Sequence, residues 1–148
     1  MSGGRTPVAY RPGGDSETTG HDVVWIGVPA DGSYLAVLRT ATAGIAARLN
    51  FGLDEIEDLR IAVDEACGML LGLAAPDSEL SCRFDITADG LAVEVAVATV
   101  GTAVLPPAQS FAWQVLTALA ADVSAGTVAG SAAIRLVSRG AEIRSATH

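Results

Sequence analysis

The helical period between residues 53 and 73 constrains the fold of this chain more than any other feature. Apolar side chains recur there at steps of three and four residues, so that on a helix they form one stripe, and Asp58, Glu65 and Met69 lie off it. The pattern predicts a helix that runs to about Ala74, packs its stripe on a core and keeps Glu65 and Met69 as neighbours at positions i and i+4. The stripe consists of Ile56, Leu59, Val63, Ala66, Leu70 and Leu73.

The remaining apolar patterns predict a sheet and two more helices. Alternating residues over 80–86 and 91–97, separated by a Gly-containing turn, indicate a β-hairpin. The order strand, helix, helix, hairpin, helix and then one long or two short strands is typical of an α+β two-layer sandwich, with three helices on one face of a mostly antiparallel sheet. The other elements are a strand over Val23–Val28, a helix with a stripe of Leu35, Leu38, Thr42, Ile45 and Leu49, a helix from about Ser110 that buries Ala112, Val115, Leu116, Leu119 and Val123, and the final strand or strands over 124–138.

Length and composition indicate one globular domain. The chain has 148 residues, of which 50% are apolar, so it can bury a core without metal or disulfide bonds. We expect a disordered leader over residues 1–21, the domain over 22–140 and a flexible tail over 141–148. Residues 1–21 lack the apolar stretch of a signal peptide, and charged residues interrupt every long apolar segment, which predicts a cytoplasmic protein that does not span or bind a membrane.

The charge of the chain disfavours direct binding of nucleic acid. The formal net charge is −8, and the nine basic residues are all Arg, with no basic stripe that could contact a phosphate backbone. Cys67 and Cys82 lie within a helix and a strand pattern, where cysteines usually act as small buried apolar residues. His21 and His148 lie near the two ends of the chain, so no metal site is expected.

Three segments resemble a known family in order and spacing. The residues Ala62–Cys67 around Glu65, the pair Leu38–Arg39 and the segment Phe111–Val123 are similar to the anti-sigma factors of the histidine-kinase-like ATPase superfamily, particularly the actinobacterial anti-sigma regulatory factors of the serine-protein-kinase type. The resemblance implies a protein that sequesters an RNA polymerase sigma factor and is released by an anti-anti-sigma factor. It also implies the histidine-kinase-like fold and a homodimer in the free state.

The family's nucleotide motifs are altered in this chain. The Asn that the family uses to bind Mg²⁺ is replaced by Met69, and a thioether is a poor ligand for this hard cation. The Asp-x-Gly motif that recognises adenine reads Thr99-Val100-Gly101, and the lid region 106–110 contains two prolines and no glycine. The resemblance therefore implies a degenerate ATP site, at which Glu65 is the relic of a catalytic base; alternatively, Glu65 is a solvated or partner-facing charge, or an active base.

Arg39 is the candidate partner-binding residue. The resemblance places at this position an Arg that contacts sigma and the antagonist, and the neighbours one turn away, Ala36 and Ala43, are small. Arg is enriched among the residues that dominate protein interfaces, although an isolated surface Arg often only favours solubility.

Three functions agree with these patterns. The first is an anti-sigma factor with no need of a cofactor, and the second is an active serine protein kinase of the same family that uses ATP and Mg²⁺ to phosphorylate its anti-anti-sigma antagonist. The third is a sensor that binds an unrelated metabolite in the former nucleotide cleft. ATP turnover with a purified antagonist distinguishes the second function from the first.

Overall fold

A five-stranded antiparallel sheet forms one layer of the computed structural model, which describes residues 22–88 and 90–140. The strand order is β1-β2-β3-β5-β4, so β3 lies at the centre and β1 and β4 lie at the two edges. The leader and the tail expected at 1–21 and 141–148 lie outside the described residues. The strands are β1 (Asp22–Pro29), β2 (Glu79–Thr87), β3 (Gly90–Ala98), β4 (Asp122–Val128) and β5 (Ser131–Ser138).

Three helices form the second layer: α1 (Leu35–Arg48), α2 (Leu53–Leu71) and α3 (Phe111–Leu119). α2 contacts β3 and β5 at the centre of the sheet and also contacts both other helices. A short 3-10 turn, Gly32–Tyr34, precedes α1, and residues 49–52 connect α1 to α2. Asn50 has a φ of 65° in this connection, a left-handed conformation that Asn adopts more readily than most residues. The α+β two-layer sandwich predicted from the sequence is confirmed.

The core lies between the sheet and the helices, and it follows the predicted periods. Every second residue of the central strands faces the helices, and one stripe of α2 faces the sheet. Each fully buried Leu or Phe stabilises the fold by about 1.5–3 kcal/mol relative to the exposed side chain. The buried residues include Leu59, Val63, Ala66 and Leu70 of α2, Leu38 and Ala46 of α1, Leu80, Cys82 and Phe84 of β2, Val93 and Val95 of β3, Leu116 of α3, and Ile134 and Leu136 of β5.

Two predicted boundaries are wrong. α2 ends at Leu71 rather than at about Ala74, because the chain turns after it and Ala74 forms a β-bridge with Thr99. Val123 was assigned to the third helix, but it lies in β4 opposite Leu136. The segment after α3 forms two strands, β4 and β5, which decides between the one or two strands that the sequence left open.

Among the described residues, no helix is both long enough and apolar enough to cross a membrane. The length of α2 does not alter this, because its apolar residues are confined to one stripe and charged residues occupy its other faces.

Candidate functional site

α2 positions two of the residues expected at a nucleotide site, Glu65 and Met69. Glu65 is half-buried, and its carboxylate forms no hydrogen bond or ion pair with the residues that the structure describes. Met69 was expected to lie off the apolar stripe of the helix, but it is half-buried and packs against the hydrophobic core. Its thioether therefore fills space at the end of the core, a position that an unbranched, flexible side chain suits.

Thr99 occupies the position at which the resemblance implies an adenine-binding carboxylate. It follows β3 directly, is only 7% exposed, and its backbone N–H donates to the carbonyl of Gly130 at 3.0 Å. Its hydroxyl Oγ1 donates to the carbonyl of Gly101, also at 3.0 Å. The hydroxyl proton is therefore committed to the chain's own loop, and the side chain carries no charge that could strengthen a hydrogen bond to a base.

The loop from Gly101 to Ser110 is held by hydrogen bonds on both sides. The Gly130 N–H donates to the carbonyl of Gly101 at 2.9 Å, which ties the start of the loop to the turn between β4 and β5. Nε1 of Trp113 donates to the carbonyl of Pro106 at 2.6 Å, which ties the middle of the loop to α3. A short segment fixed at its start and its middle cannot close over a triphosphate as a long glycine-rich lid can.

These residues do not fit ATP with Mg²⁺. The position expected to supply an oxygen ligand to the metal carries the Met69 thioether, and the position expected to supply a carboxylate to adenine carries the uncharged hydroxyl of Thr99. No Lys or Arg occurs in residues 99–110 to neutralise phosphates. No group of three His, Cys, Asp or Glu side chains within 22–88 and 90–140 is arranged to hold a metal ion.

A second candidate site lies where α1 packs against α2. Nη1 of Arg39 donates to Oδ1 of Asp64 at 2.7 Å, and the two side chains are 38% and 41% exposed. Arg39 and its small neighbours Ala36 and Ala43 line an open groove of about 620 Å³. The groove is also lined by Thr40, Leu53, Asp54, Ile56, Glu57 and Arg60.

The groove is lined by both apolar and charged residues. Leu53, at the start of α2, is 85% exposed. Arg60 pairs with Glu57 on the same helix, with 2.5 Å between Nη1 and Oε1. Arg39 reaches from α1 to Asp64 on α2. Ala36, Arg39 and Ala43, the three residues that the sequence indicated for partner binding, all line this groove.

The two cysteines belong to the hydrophobic core. Cys67 and Cys82 are both buried free thiols, one on α2 and one on β2. Burial raises the pKa of Cys67 to about 12; the charge of Asp64 also raises it, and that of Arg39 lowers it. Burial likewise raises the pKa of Cys82 well above its usual value. Both cysteines are therefore unreactive packing residues in the folded chain.

Sequence reasoning missed Asp64 as the partner of Arg39, and it missed the part of the groove that α2 supplies. The helical period of α2 indicates the face on which Asp64 lies, but it gives no information about which residue of another helix Asp64 contacts. Leu53 offered one signal, since a large apolar residue stands there outside the apolar stripe.

Comparison with known proteins shows a relationship over most of the chain. The anti-sigma-F factor RsbW of Mycobacterium tuberculosis is 38% identical over 130 residues, which cover 82% of this chain and 77% of that protein. The serine-protein kinase RsbW of Bacillus subtilis is 40% identical over 78 residues, covering 51% of this chain and 49% of that protein. No protein-family model matches the chain.

The fold agrees with this relationship. The crystal structure of the RsbU and RsbW domains of a Mycobacterium tuberculosis protein matches with a TM-score of 0.60 at 15% identity, covering 80% of this chain and 32% of that one. The shared fold and the sequence relationship place the chain in one class with proteins named anti-sigma factor and serine-protein kinase. The chain belongs to their RsbW family. The family resemblance inferred from the sequence is confirmed.

We expect ATP to bind weakly, if at all. The Met69 thioether, the uncharged Thr99 hydroxyl and the short loop each weaken one part of the nucleotide's recognition, so calorimetry with Mg-ATP should give a dissociation constant above about 100 μM, or less than about 5.5 kcal/mol of binding free energy. The matched variant is Met69→Asn with Thr99→Asp, which restores two ligand types but leaves the loop, and it should still lack efficient phosphotransfer. A low-micromolar dissociation constant for the natural chain would contradict this expectation.

Proposed function

We propose that this chain is an anti-sigma factor that binds an RNA polymerase sigma factor stoichiometrically and keeps it from the polymerase. The observation that supports this most is the 38% identity over 130 residues to a protein named anti-sigma-F factor. The activity requires a protein-binding surface and no chemical step, and the chain offers such a surface in the groove between α1 and α2.

The docking surface is centred on Arg39. Small residues on either side, Ala36 and Ala43, let a partner approach the helix closely, while the guanidinium supplies planar donors for a carboxylate. The exposed side chain of Leu53 adds an apolar contact at the same groove. A partner segment with an acidic residue beside apolar ones matches this arrangement.

Capture of the sigma factor is independent of nucleotide in this proposal. Glu65 remains at the position of the family's base as a catalytic relic, and Met69, Thr99 and Gly101 occupy degenerate nucleotide positions. An anti-anti-sigma factor then releases the sigma factor by competing for the anti-sigma surface, without phosphorylation by this chain. The protein acts in the cytoplasm, where the polymerase is, and contacts neither nucleic acid nor membrane.

A serine protein kinase is the second candidate function. It is supported by the retained Glu65, which has no partner among the described residues, and by relatives named serine-protein kinase that match about half of the chain. Such an enzyme would need ATP and Mg²⁺. Incubation of the chain with labelled ATP and a purified anti-anti-sigma factor separates the two functions, because only the kinase transfers label to the antagonist.

The free protein is proposed to be a homodimer. β1 is an edge strand of the sheet and is rich in β-branched residues, and its Trp25 is 42% exposed. Open strand edges and exposed aromatic side chains favour association with another chain.

Replacing Arg39 by Ala should weaken sigma binding without unfolding the domain. The partner loses a charged anchor, so the affinity should fall at least about tenfold, while loss of the half-exposed pair with Asp64 should change the free energy of unfolding by less than about 1 kcal/mol. Calorimetric titration with a purified sigma factor that the natural chain binds measures the first quantity, and urea unfolding measures the second.

Two controls accompany this variant. Arg48→Ala removes a charge from the exposed end of the same helix and should leave the affinity unchanged. Leu38→Ala deletes a side chain that is 1% exposed and should lower the free energy of unfolding by about 2–5 kcal/mol. Sigma affinity of Arg39→Ala within about twofold of the natural chain would show that α1 is not the docking surface.

The proposed dimer predicts a mass in solution of twice the 15.0 kDa chain. Light scattering at about 100 μM should give this mass, since moderately weak dimers with micromolar dissociation constants are saturated there. Trp25→Lys places a charge in the edge strand β1 and should shift the protein toward monomer. A natural chain that is monomeric at this concentration contradicts the proposal.

A further inference from the structure

We infer that Asp64 is a positioning residue that holds Arg39 in the orientation in which it binds the partner's carboxylate. The inference rests on the proposed function and adds to it a residue that neither the sequence pattern nor the relatives indicate. The observation behind it is the hydrogen bond from Nη1 of Arg39 to Oδ1 of Asp64, 2.7 Å long, between residues 25 positions apart on two helices.

The ion pair between Arg39 and Asp64 contributes little to the stability of the fold. Both side chains are more than a third exposed, so water and salt screen their attraction. α1 and α2 are already joined by buried contacts, among them Leu38 and Ala46 on one side and Leu59 and Val63 on the other. What the pair does provide is a fixed direction for a long side chain whose neighbours Ala36 and Ala43 are too small to restrain it.

The geometry leaves most of the guanidinium available. An Arg side chain carries five N–H donors, and Asp64 accepts from Nη1 alone. Within the described part of the chain, Nε and Nη2 of Arg39 have no partner. These two nitrogens form one edge of the fork that binds a carboxylate through two parallel hydrogen bonds. A partner can therefore bind Arg39 while Asp64 remains bound to it.

Because of this arrangement, Asp64 positions Arg39 and does not compete with the partner's carboxylate for it. A carboxylate that accepted from Nε and Nη2 together would occupy the edge a partner needs and would have to be displaced. Because Asp64 holds one nitrogen, it reduces the number of Arg39 rotamers without blocking the edge. Restraining a rotamer-rich side chain before binding lowers the entropy lost in the complex.

The experiment is a double-mutant cycle on sigma affinity. Asp64→Ala should weaken binding by about three- to tenfold, as the loss of a restrained rotamer predicts, and Asp64→Asn by less, because its amide oxygen still accepts from Nη1. In an Arg39→Ala background, Asp64→Ala should have no further effect beyond about twofold. Asp58→Ala, which removes an exposed carboxylate from the same helix, controls for the change in net charge and should bind as the natural chain does.

A charge exchange separates positioning from a structural role. Arg39→Asp combined with Asp64→Arg restores an ion pair between the helices but moves the guanidinium to α2. This variant should unfold at the temperature of the natural chain and still bind sigma as poorly as Arg39→Ala. Recovery of binding by the exchange would mean that the pair acts only by joining the helices, and would overturn the inference.

Other outcomes also overturn it. Unchanged sigma binding by Asp64→Ala would overturn it, and tighter binding would identify Asp64 as a competitor of the partner. Losses of sigma affinity that add fully in the Arg39→Ala, Asp64→Ala double variant would also overturn it. One measurement needs no partner: ¹⁵N relaxation of the Arg39 Nε–H group should show a more ordered side chain in the natural chain than in Asp64→Ala. If the natural chain binds no sigma factor, the proposed function fails, while equal mobility of Arg39 in both proteins rejects positioning by Asp64.

Discussion

The packing of α2 against the centre of the sheet is the interaction on which both candidate sites depend. Its buried stripe, which includes Leu59, Val63 and Leu70, fixes the rotation of the helix over β3 and β5. Once that rotation is fixed, Asp64 points toward α1, and Glu65 and Met69 lie at the candidate nucleotide site. A change that rotated α2 would therefore alter both candidate sites together.

The two candidate sites use their side chains differently. At the candidate nucleotide site, Met69 packs against the core and Thr99 bonds to Gly101 in its own loop. At the groove, Arg39 is present and its guanidinium is held in place. This contrast supports the proposal of regulation by binding over regulation by phosphotransfer.

Much of the fold could be predicted from the sequence because the signals are local. The period of α2, the alternation in the β2–β3 hairpin and the interruptions between elements all reflect which side chains can be buried, and the structure confirms them. The end of α2 could not be predicted, since it depends on the bridge between Ala74 and Thr99. The assignment of Val123 was wrong for a similar reason, because its strand forms only by pairing with β5.

The candidate site could be predicted only in part, since it is built from residues distant in sequence. The family resemblance indicated Arg39, Glu65 and the altered nucleotide positions, but the helical period could not show that Asp64 meets Arg39 or that Met69 packs inward. The measurement that tests the account most directly is the sigma affinity of the natural chain, titrated once with EDTA and no nucleotide and once with Mg-ATP. Dissociation constants within about twofold of each other are predicted, whereas tightening of more than about tenfold by Mg-ATP would contradict the claim that this chain captures its partner without nucleotide.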